Sequence, residues 1–323
     1  MQLPSQLRAA VDALLEDTQI DTLKQAARRL SERYRAELRD GRLHMSQDLA
    51  VKAYLATRLP ATYAAVRASF ETITEARPAW YPSSLLDIGS GPGTALWAAA
   101  DTWPGLNHAT LLEASEPARR IGQHLASNLP FCSDWKSGDA TRSLSGLAPA
   151  DLVTCAYVLD ELEPLARVEL VDQLWKLAAD TLVIVEPGTP AGWQRILLCR
   201  AQLIKAGAHV LAPCVHAAPC PLISPDWCHF SRRVARSRIH RLAKDAEVPW
   251  EDEKFAYIAV SRLRPDSESQ ASRVLAPQRA GSGKVELKLC CPDGSVATRL
   301  FTKRNGETFK RAKRADWGDA LTD

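Results

Sequence analysis

The chain has 323 residues, 46% of them hydrophobic, and a net charge of only +3, so it exceeds one modal domain and holds enough apolar content for a sizeable core. No apolar run approaches the length that crosses a bilayer, the start lacks the cationic-then-apolar pattern of a secretory signal, and Asp12, Glu16 and Asp17 argue against an organelle transit peptide. The expectation is a cytoplasmic protein without membrane contact, whose eight cysteines are thiols or metal ligands rather than disulfides.

Residues 1–75 read as helices. Leu3, Leu7, Ala10, Val11, Leu14 and Leu15 recur at helical spacing, and a second stripe runs through Leu49, Ala53, Ala56 and Leu59. Such a helical region covers a cofactor cleft or forms a substrate surface, and both roles stay open. A hinge from Ala76 to Pro82 leads into an α/β domain expected over 76–264. At 85–95, Leu-Leu-Asp-Ile-Gly-Ser-Gly-Pro-Gly-Thr-Ala, Gly89, Gly91 and Gly93 follow a strand that carries Asp87 near its end. Without Cβ atoms the turn admits a bulky ligand, and a helix starting at about Thr94 points its free N–H groups into the same crevice. The third glycine comes one residue too early for the dinucleotide fingerprint, and Asp87 is placed to bond a cationic or amino group. This arrangement resembles motif I of the class I S-adenosylmethionine (SAM) methyltransferases; the alternative is an ordinary tight strand-to-helix turn. His108–Glu113 is a second strand, and its final acid follows Gly93 by twenty residues, where it would take both hydroxyls of a ribose. Ser137-Gly-Asp-Ala140 has the form of the loop that holds adenine, with Asp139 accepting from the amino group, or of a plain turn. Buried runs at 151–159 and 181–186 supply the fourth and fifth strands. The βαβα alternation implies a doubly wound, Rossmann-like α/β sheet.

For catalysis the sequence offers less. Enzymes acting on exocyclic amines often carry (Asn/Asp)-Pro-Pro-(Phe/Tyr) after the fourth strand, where this chain has Ala156-Tyr-Val-Leu-Asp160-Glu161. Cys155 lies inside that strand and reads as core. Tyr157, Asp160 and Glu161 are the candidates facing the substrate crevice, with a purely structural role as the competing reading.

A helix is expected over 190–206 and a short strand at 209–211, followed by a cysteine-rich and basic insertion at 212–250. Cys214, Cys220 and Cys228 share a loop stiffened by prolines at 213, 219, 221 and 225. A stiff loop of low apolar content needs something to order it, and a metal would do so; packed free thiols are the alternative. The spacing fits neither paired C-x-x-C ribbons nor the bacterial ferredoxin run, so it names no metal. A fourth ligand is available from Cys290, Cys291, His216 or His229. Cys132, Cys155 and Cys199 read as loop, strand and helix residues. A basic helix is expected over 231–244, with Arg232, Arg233, Arg236, Arg238, Arg241 and Lys244 and no acid. Residues 255–262 form the last strand of the sheet and 265–270 a polar linker. The basic extension 265–323 holds a hairpin, 284–291 and 296–303, around Pro292-Asp293-Gly294. From Arg262 to Arg314 there are thirteen Lys or Arg against five acids. Two late basic segments suit RNA, with Arg232, Arg233, Arg236 and Arg241 as its contacts; a solvated helix face is the plainer alternative.

Four motifs then carry a family resemblance: Val-Glu-Pro-Gly-Thr-Pro-Ala-Gly at 185–192, the Cys-x-His…Cys-Pro-Leu…Asp-Trp-Cys-His-Phe loop, Glu-Asp-Glu-Lys-Phe at 251–255 and Cys-Cys-Pro-Asp-Gly at 290–294. Together, from about residue 45 to Trp317-Gly-Asp, they resemble the methyltransferase-like family of mitochondrial small-ribosomal-subunit assembly factors and its bacterial relatives. The resemblance implies a SAM-binding protein acting on the small ribosomal subunit, through its rRNA or an associated target, and monomeric away from the ribosome. It also implies a four-iron four-sulfur (4Fe-4S) cluster on Cys214, Cys220, Cys228 and Cys290, the last preferred to Cys291 because bacterial relatives tend to keep the first cysteine of that pair. Val215 and Ala217 depart from the family's Cys-Pro-His-Asp pattern, and zinc remains the competitor for four thiolates. A non-catalytic assembly factor is the alternative function, and a small-molecule methyltransferase the third.

Overall fold

Apolar residues recurring every three to four positions make the first elements helices. The computed structural model describes residues 1–37, 43–264 and 270–322; apart from Gln270, the linker expected at 265–270 lies outside them. Helix α1 (Ser5–Leu15) buries Leu7, Val11 and Leu15, and α2 (Ile20–Arg35) buries Leu23, Ala27 and Leu30. Helices α3 (Asp48–Thr57) and α4 (Leu59–Ala76) break at Arg58, with Pro60 in the first turn of α4. Most of α4 is buried, including Tyr63, Phe70 and Ile73, as befits a helix apolar on most sides.

The chain then alternates: β1 (Ser84–Ile88), α5 (Thr94–Thr102), β2 (His108–Glu113), α6 (Glu116–Ala126), β3 (Cys132–Ser137), β4 (Ala150–Ala156), α7 (Pro164–Leu177), β5 (Ala178–Pro187), α8 (Pro190–Lys205) and β6 (His209–Ala212). After the cysteine loop come β7 (Phe230–Ala235), α9 (Arg238–Lys244) and β8 (Trp250–Ser261). The sheet runs β3-β2-β1-β4-β5-β8-β6, with β7 also paired to β8. Strands β1 to β5 are parallel, and β8 is antiparallel to β5 and β6. Alternate residues divide between two cores. Leu85, Leu111, Leu152 and Val183 pack with α1–α6, while Leu86, Leu112, Val153 and Leu182 pack with α7 and α8. One antiparallel strand inserted beside the fifth parallel strand of a doubly wound sheet is the class I methyltransferase fold, as expected. The N-terminal helices share the core of its first face.

Three local expectations change. The fourth strand stops at Ala156, because Tyr157 takes a left-handed conformation (φ 58°) and a 3-10 turn, Leu159–Glu161, follows. The basic run is not one helix: Phe230 and Val234 are buried while Arg233 and Ala235 are exposed, so 230–235 form a strand, and only Arg238–Lys244 is helical. Cys132 opens β3 rather than lying in a loop.

The C-terminal extension is a second, antiparallel sheet of β9 (Ser272–Val274), β10 (Arg279–Gly281), β11 (Lys284–Cys290), β12 (Val296–Thr302) and β13 (Ala320–Leu321), with α10 (Glu307–Arg314) against it. Val285, Leu287, Leu289, Phe301 and Ala312 form its own core. The expected hairpin is β11–β12, in register with Cys290 opposite Val296 and Gly294 at φ 86° in its turn. No helix of the described residues is long and apolar enough to cross a membrane.

Candidate cofactor cleft and cysteine pocket

The strand order reverses between β1 and β4, and a crevice opens beyond their carboxyl ends, where an open α/β sheet binds ligands. Gly89 (φ 68°), Gly91 (φ 53°) and Gly93 (φ 82°) are all left-handed, which glycine alone adopts without strain. A Cβ on Gly89 would stand 2.5 Å from the Val158 side chain. Glu113 braces this loop: one carboxylate oxygen accepts the Gly91 N–H at 2.8 Å and the other the Ser115 N–H at 2.7 Å. Burial raises its pKa, and these donors counter that. Asp87 is 2% exposed. Its Oδ1 accepts the Thr154 hydroxyl at 2.6 Å, while Oδ2 is buried with no hydrogen-bond partner among the described residues. Burial, with the charge of Glu113 adding to it, pushes Asp87 up to about 7. An orphaned buried acceptor in a cleft wall is satisfied by a ligand's amino group. Asp87, Gly89, Gly91, Glu113 and Asp139 all line the cleft. Asp139 spends Oδ1 on its own turn, accepting from the N–H and hydroxyl of Thr141. Gly93 does not line it but stands at the start of α5, against Trp135.

The roof answers the question left open for the N-terminal helices. Tyr34, His44, Met45, Tyr54 and Arg58 cover the cleft. The Met45 methyl lies 3.2 Å from where a Gly91 Cβ would be, its carbonyl accepts the Ser115 hydroxyl at 2.6 Å, and the Tyr54 hydroxyl meets Thr94 at 3.1 Å. The three catalytic candidates are at the cleft, and two of them are engaged by neighbouring side chains. Tyr157 donates to Glu253 at 2.9 Å, and Arg58 pairs with the same oxygen at 3.1 Å; burial raises the Tyr157 pKa. Glu161 lies 3.4 Å from His44 Nε2 and is pushed up to about 8 by burial and by Asp160, itself pushed up to about 6 by burial. Behind them Glu186, fully buried and pushed up to about 8, accepts from the Leu159 N–H at 3.1 Å and from Arg195 at 2.5 Å. Arg195 continues to Glu37 at 3.0 Å. Sequence reasoning missed Glu186, Arg195, Arg58, Glu253 and His44. Glu186 and Glu253 do lie inside the family motifs, which was the available signal. Cys155 is core, 1% exposed, as expected.

On the other side of β8 the four predicted cysteines converge. Cys214, Cys220, Cys228 and Cys290 line one small cavity walled by Trp193, Ile196, Leu222, Phe230 and Ile258. Cys290 Sγ is 3.4 Å from His216 Nε2. Cys291 instead packs into the core of the C-terminal sheet. Burial pushes Cys214 and Cys228 up and Cys290 up to about 12. Among the described residues no group of three or more His, Cys, Asp or Glu is assembled to hold a metal ion. Two buried arginines join the cavity wall. Arg200 donates to the carbonyls of His216 and Ala218 at 2.8 Å, and Arg273 to those of Pro213 (3.1 Å) and Gly318 (2.8 Å). Neither has a carboxylate partner among the described residues.

The predicted RNA contacts are largely neutralised. Pairing of β7 with β8 sets Arg233 opposite Asp252, which it binds at 2.9 and 3.1 Å. Arg236 binds Glu251 at 3.0 Å and Arg232 approaches Glu71 at 3.8 Å. Arg241 is exposed. A segment without acids in the sequence is therefore interleaved with acids in space.

Known proteins match this chain along most of its length. The family described as mitochondrial small ribosomal subunit Rsm22 matches residues 48–322. The human mitochondrial ribosome assembly protein METTL17 is 30% identical over 285 residues, 83% of this chain and 61% of that protein, so the match spans less than two thirds of the relative. Among solved structures, a putative RNA methyltransferase from Pyrococcus horikoshii is 12% identical with a TM-score of 0.41, covering 61% of this chain and 81% of its own. Magnesium protoporphyrin IX methyltransferase from Synechocystis PCC 6803, with bound SAM, is 15% identical with a TM-score of 0.42, covering 72% and 91%. The fold assignment rests on the strand order, not on these likenesses. The cytoplasmic expectation is overturned, since the family and the human relative are both described as mitochondrial. The acids that suggested it belong to the folded domain: Asp12 lies on α1, and Glu16 and Asp17 directly follow it. The chain belongs to the Rsm22 family of mitochondrial small-ribosomal-subunit proteins.

Proposed function

We propose that this protein is a SAM-binding assembly factor of the small ribosomal subunit that also carries an iron–sulfur cluster. The observation that carries the cofactor is the orphaned Asp87 Oδ2 beside a left-handed glycine loop braced by Glu113. When bound, SAM supplies an electrophilic methyl group on a sulfonium. Asp87 would take its amino group, Glu113 its ribose hydroxyls and Asp139 its adenine, while Met45 and Tyr54 exclude water from above. Alignment and desolvation supply much of the catalysis of an in-line displacement. Of the candidates beyond that, Tyr157 is held by Glu253 and Glu161 faces His44. That engagement favours assembly without turnover, and methylation of rRNA or a subunit protein is the second reading, supported by the carboxyl-rich cleft.

Calorimetric SAM binding to wild type and to Gly91→Arg tests the cofactor, and rRNA modifications in a deletion strain complemented by each test turnover. Folded wild-type protein that ignores SAM at about 1 mM, far above useful affinities, sinks the proposal. A methyl group restored by wild type and not by Gly91→Arg sinks the non-catalytic reading.

For the cluster, the support is the four cysteines that line one cavity and the charge of the wall beside them. The net negative charge of a thiolate-bound cluster would answer the two buried guanidiniums of Arg200 and Arg273, which burial otherwise leaves without a counterion. Cys214, Cys220, Cys228 and Cys290 would hold it. Anaerobic protein is expected to be brown, with about four irons per chain; one zinc and no sulfide would overturn iron while keeping the ligands.

A further inference from the structure

Arg233 and Arg236 pair with carboxylates and Arg232 lies 3.8 Å from Glu71, which leaves Arg238 and Arg241 as the segment's exposed cations and makes a denser cationic surface the better RNA contact. The C-terminal sheet displays one. Lys303, Arg304, Lys310, Arg311, Lys313 and Arg314 fall within twelve residues that contain a single acid, Glu307. All six are exposed. Lys310 pairs with Glu307 at 2.6 Å; the other five have no carboxylate partner among the described residues.

The scaffold under these charges is rigid. The inner face of α10 is apolar: Ala312 is fully buried and Phe309 and Ala315 pack with it against Val285, Leu287 and Phe301. The turn before it is fixed by Thr302 and Asn305, whose side chain accepts from the Thr302 N–H at 2.7 Å. Gly306, at φ 57°, reverses the chain between the two. Like charges three and four apart, such as Lys310 with Lys313 and Arg314, oppose the helix by a few tenths of a kcal/mol per pair. Folding tolerates them without compensation, and an external anion relieves them.

We propose that the outer face of α10, with the Lys303–Arg304 turn, docks the phosphates of an RNA strand, and that Arg232, Arg233 and Arg236 do not. The inference rests on the small-subunit reading above. Eight helical residues span about 12 Å, the axial length of three to four phosphates at about 3.4 Å each. No aromatic side chain accompanies the cations on that face, so the contact is to the backbone and fixes position rather than reading bases. An interfacial membrane helix needs its apolar face free, and here that face is spent on the sheet.

The test uses the full chain and a fluorescently labelled RNA hairpin, with affinity measured between about 50 and 200 mM KCl. The triple variant Arg311→Ala/Lys313→Ala/Arg314→Ala should bind at least about tenfold more weakly at the low salt, and the slope of log affinity against log salt should fall by roughly 2–3, near 0.9 per lost phosphate contact. Arg233→Ala/Arg236→Ala should stay within about twofold of wild type, because those cations already hold acids. Equal affinity and slope for the triple variant, with its fold intact by circular dichroism, overturn the inference. So does a triple variant that keeps RNA binding but no longer sediments with small subunits, which would assign the patch to an acidic protein. Wild-type protein that neither binds RNA nor sediments with small subunits overturns the parent reading as well.

Discussion

Asp87→Asn should make the ligand-free protein more stable while impairing its cofactor site. The unperturbed carboxyl titrates at 3.8 and the buried one at about 7. Between those values the folded state holds a proton that the unfolded state has released, so this residue turns increasingly against folding as pH rises through the window, and fully so above it. Linkage sets a ceiling of about 4 kcal/mol at pH 8, of which one unsatisfied buried polar oxygen typically realises about 1–3 kcal/mol. The substituted amide keeps an oxygen for the Thr154 hydroxyl and removes the charge. At pH 8 the variant should therefore melt higher, by roughly 2–4 °C per kcal/mol, and the gain should shrink at pH 5, where the wild-type carboxyl is protonated in the fold. SAM affinity should fall by about 10–100-fold, the worth of a charge-assisted hydrogen bond at 1.5–3 kcal/mol. Wild-type affinity should weaken from pH 8 to pH 6 as Asp87 takes up its proton, and the variant's should not. Thermal melts at pH 5 and 8 and calorimetry at pH 6 and 8 decide it. A variant that melts lower than wild type at pH 8, or binds SAM equally well, refutes the role given to the orphaned oxygen.

Arg195→Met should destabilise the fold by about 3–5 kcal/mol at pH 9, the cost of stripping the cation from a buried carboxylate, and by far less at pH 6, where Glu186, pushed up to about 8, is protonated; urea titrations at both pH values show the difference, and equal losses would contradict it. Cys220→Ser, purified without oxygen, should lose its iron and colour, whereas Cys291→Ser should keep both, since Cys291 packs in the C-terminal core rather than the cavity; iron and sulfide analysis separates the two.

The parallel strands and the glycine turn were legible because their causes are local. A strand buried on both faces is a continuous apolar run, and three left-handed positions in five residues demand glycine. Glu113 could be placed from its distance to Gly93. The cleft's roof could not, since Met45 meets Gly91, and His44 meets Glu161, only through the packing of the N-terminal region on the sheet domain. The basic run at 231–244 misled because two buried residues, Phe230 and Val234, are too few to outweigh a charge pattern, and the acids that pair with Arg233 and Arg236 sit on β8, well along the chain. The choice between Cys290 and Cys291 is a matter of strand parity: neighbours at the end of β11 face opposite ways, and the register with Val296 sends the first toward the cavity.

A hydrogen bond links the cysteine loop to the segment that borders the cofactor cleft, and that contact carries a last prediction. Trp227 lies in the cysteine loop, and its indole N–H donates to the Gly188 carbonyl at 3.0 Å. Gly188 in turn donates to the Lys254 carbonyl at 2.9 Å, so close to β8 that a Cβ there would stand 2.6 Å from its backbone. On one side of this contact Pro187 lines the cleft; on the other, Glu253 holds Tyr157 and Arg58. The Trp227 ring stacks on His229 at 4.9 Å, which meets Trp317 at 4.7 Å, so the C-terminal tail also clamps the loop. A cluster held by the proposed cysteines would order this loop, and the Trp227–Gly188 hydrogen bond would carry that ordering toward the cleft's back wall. Trp227→Phe keeps the stack and removes the donor, leaving the Gly188 carbonyl unpaired at a cost of about 1 kcal/mol, a severalfold loss of SAM affinity at unchanged iron content. Because coupling between two sites is reciprocal, removing iron from the wild type should weaken SAM binding, and SAM should slow iron loss to a chelator. In Trp227→Phe both effects should be reduced. Iron removal that leaves wild-type SAM affinity unchanged would show that the two centres are joined by structure alone.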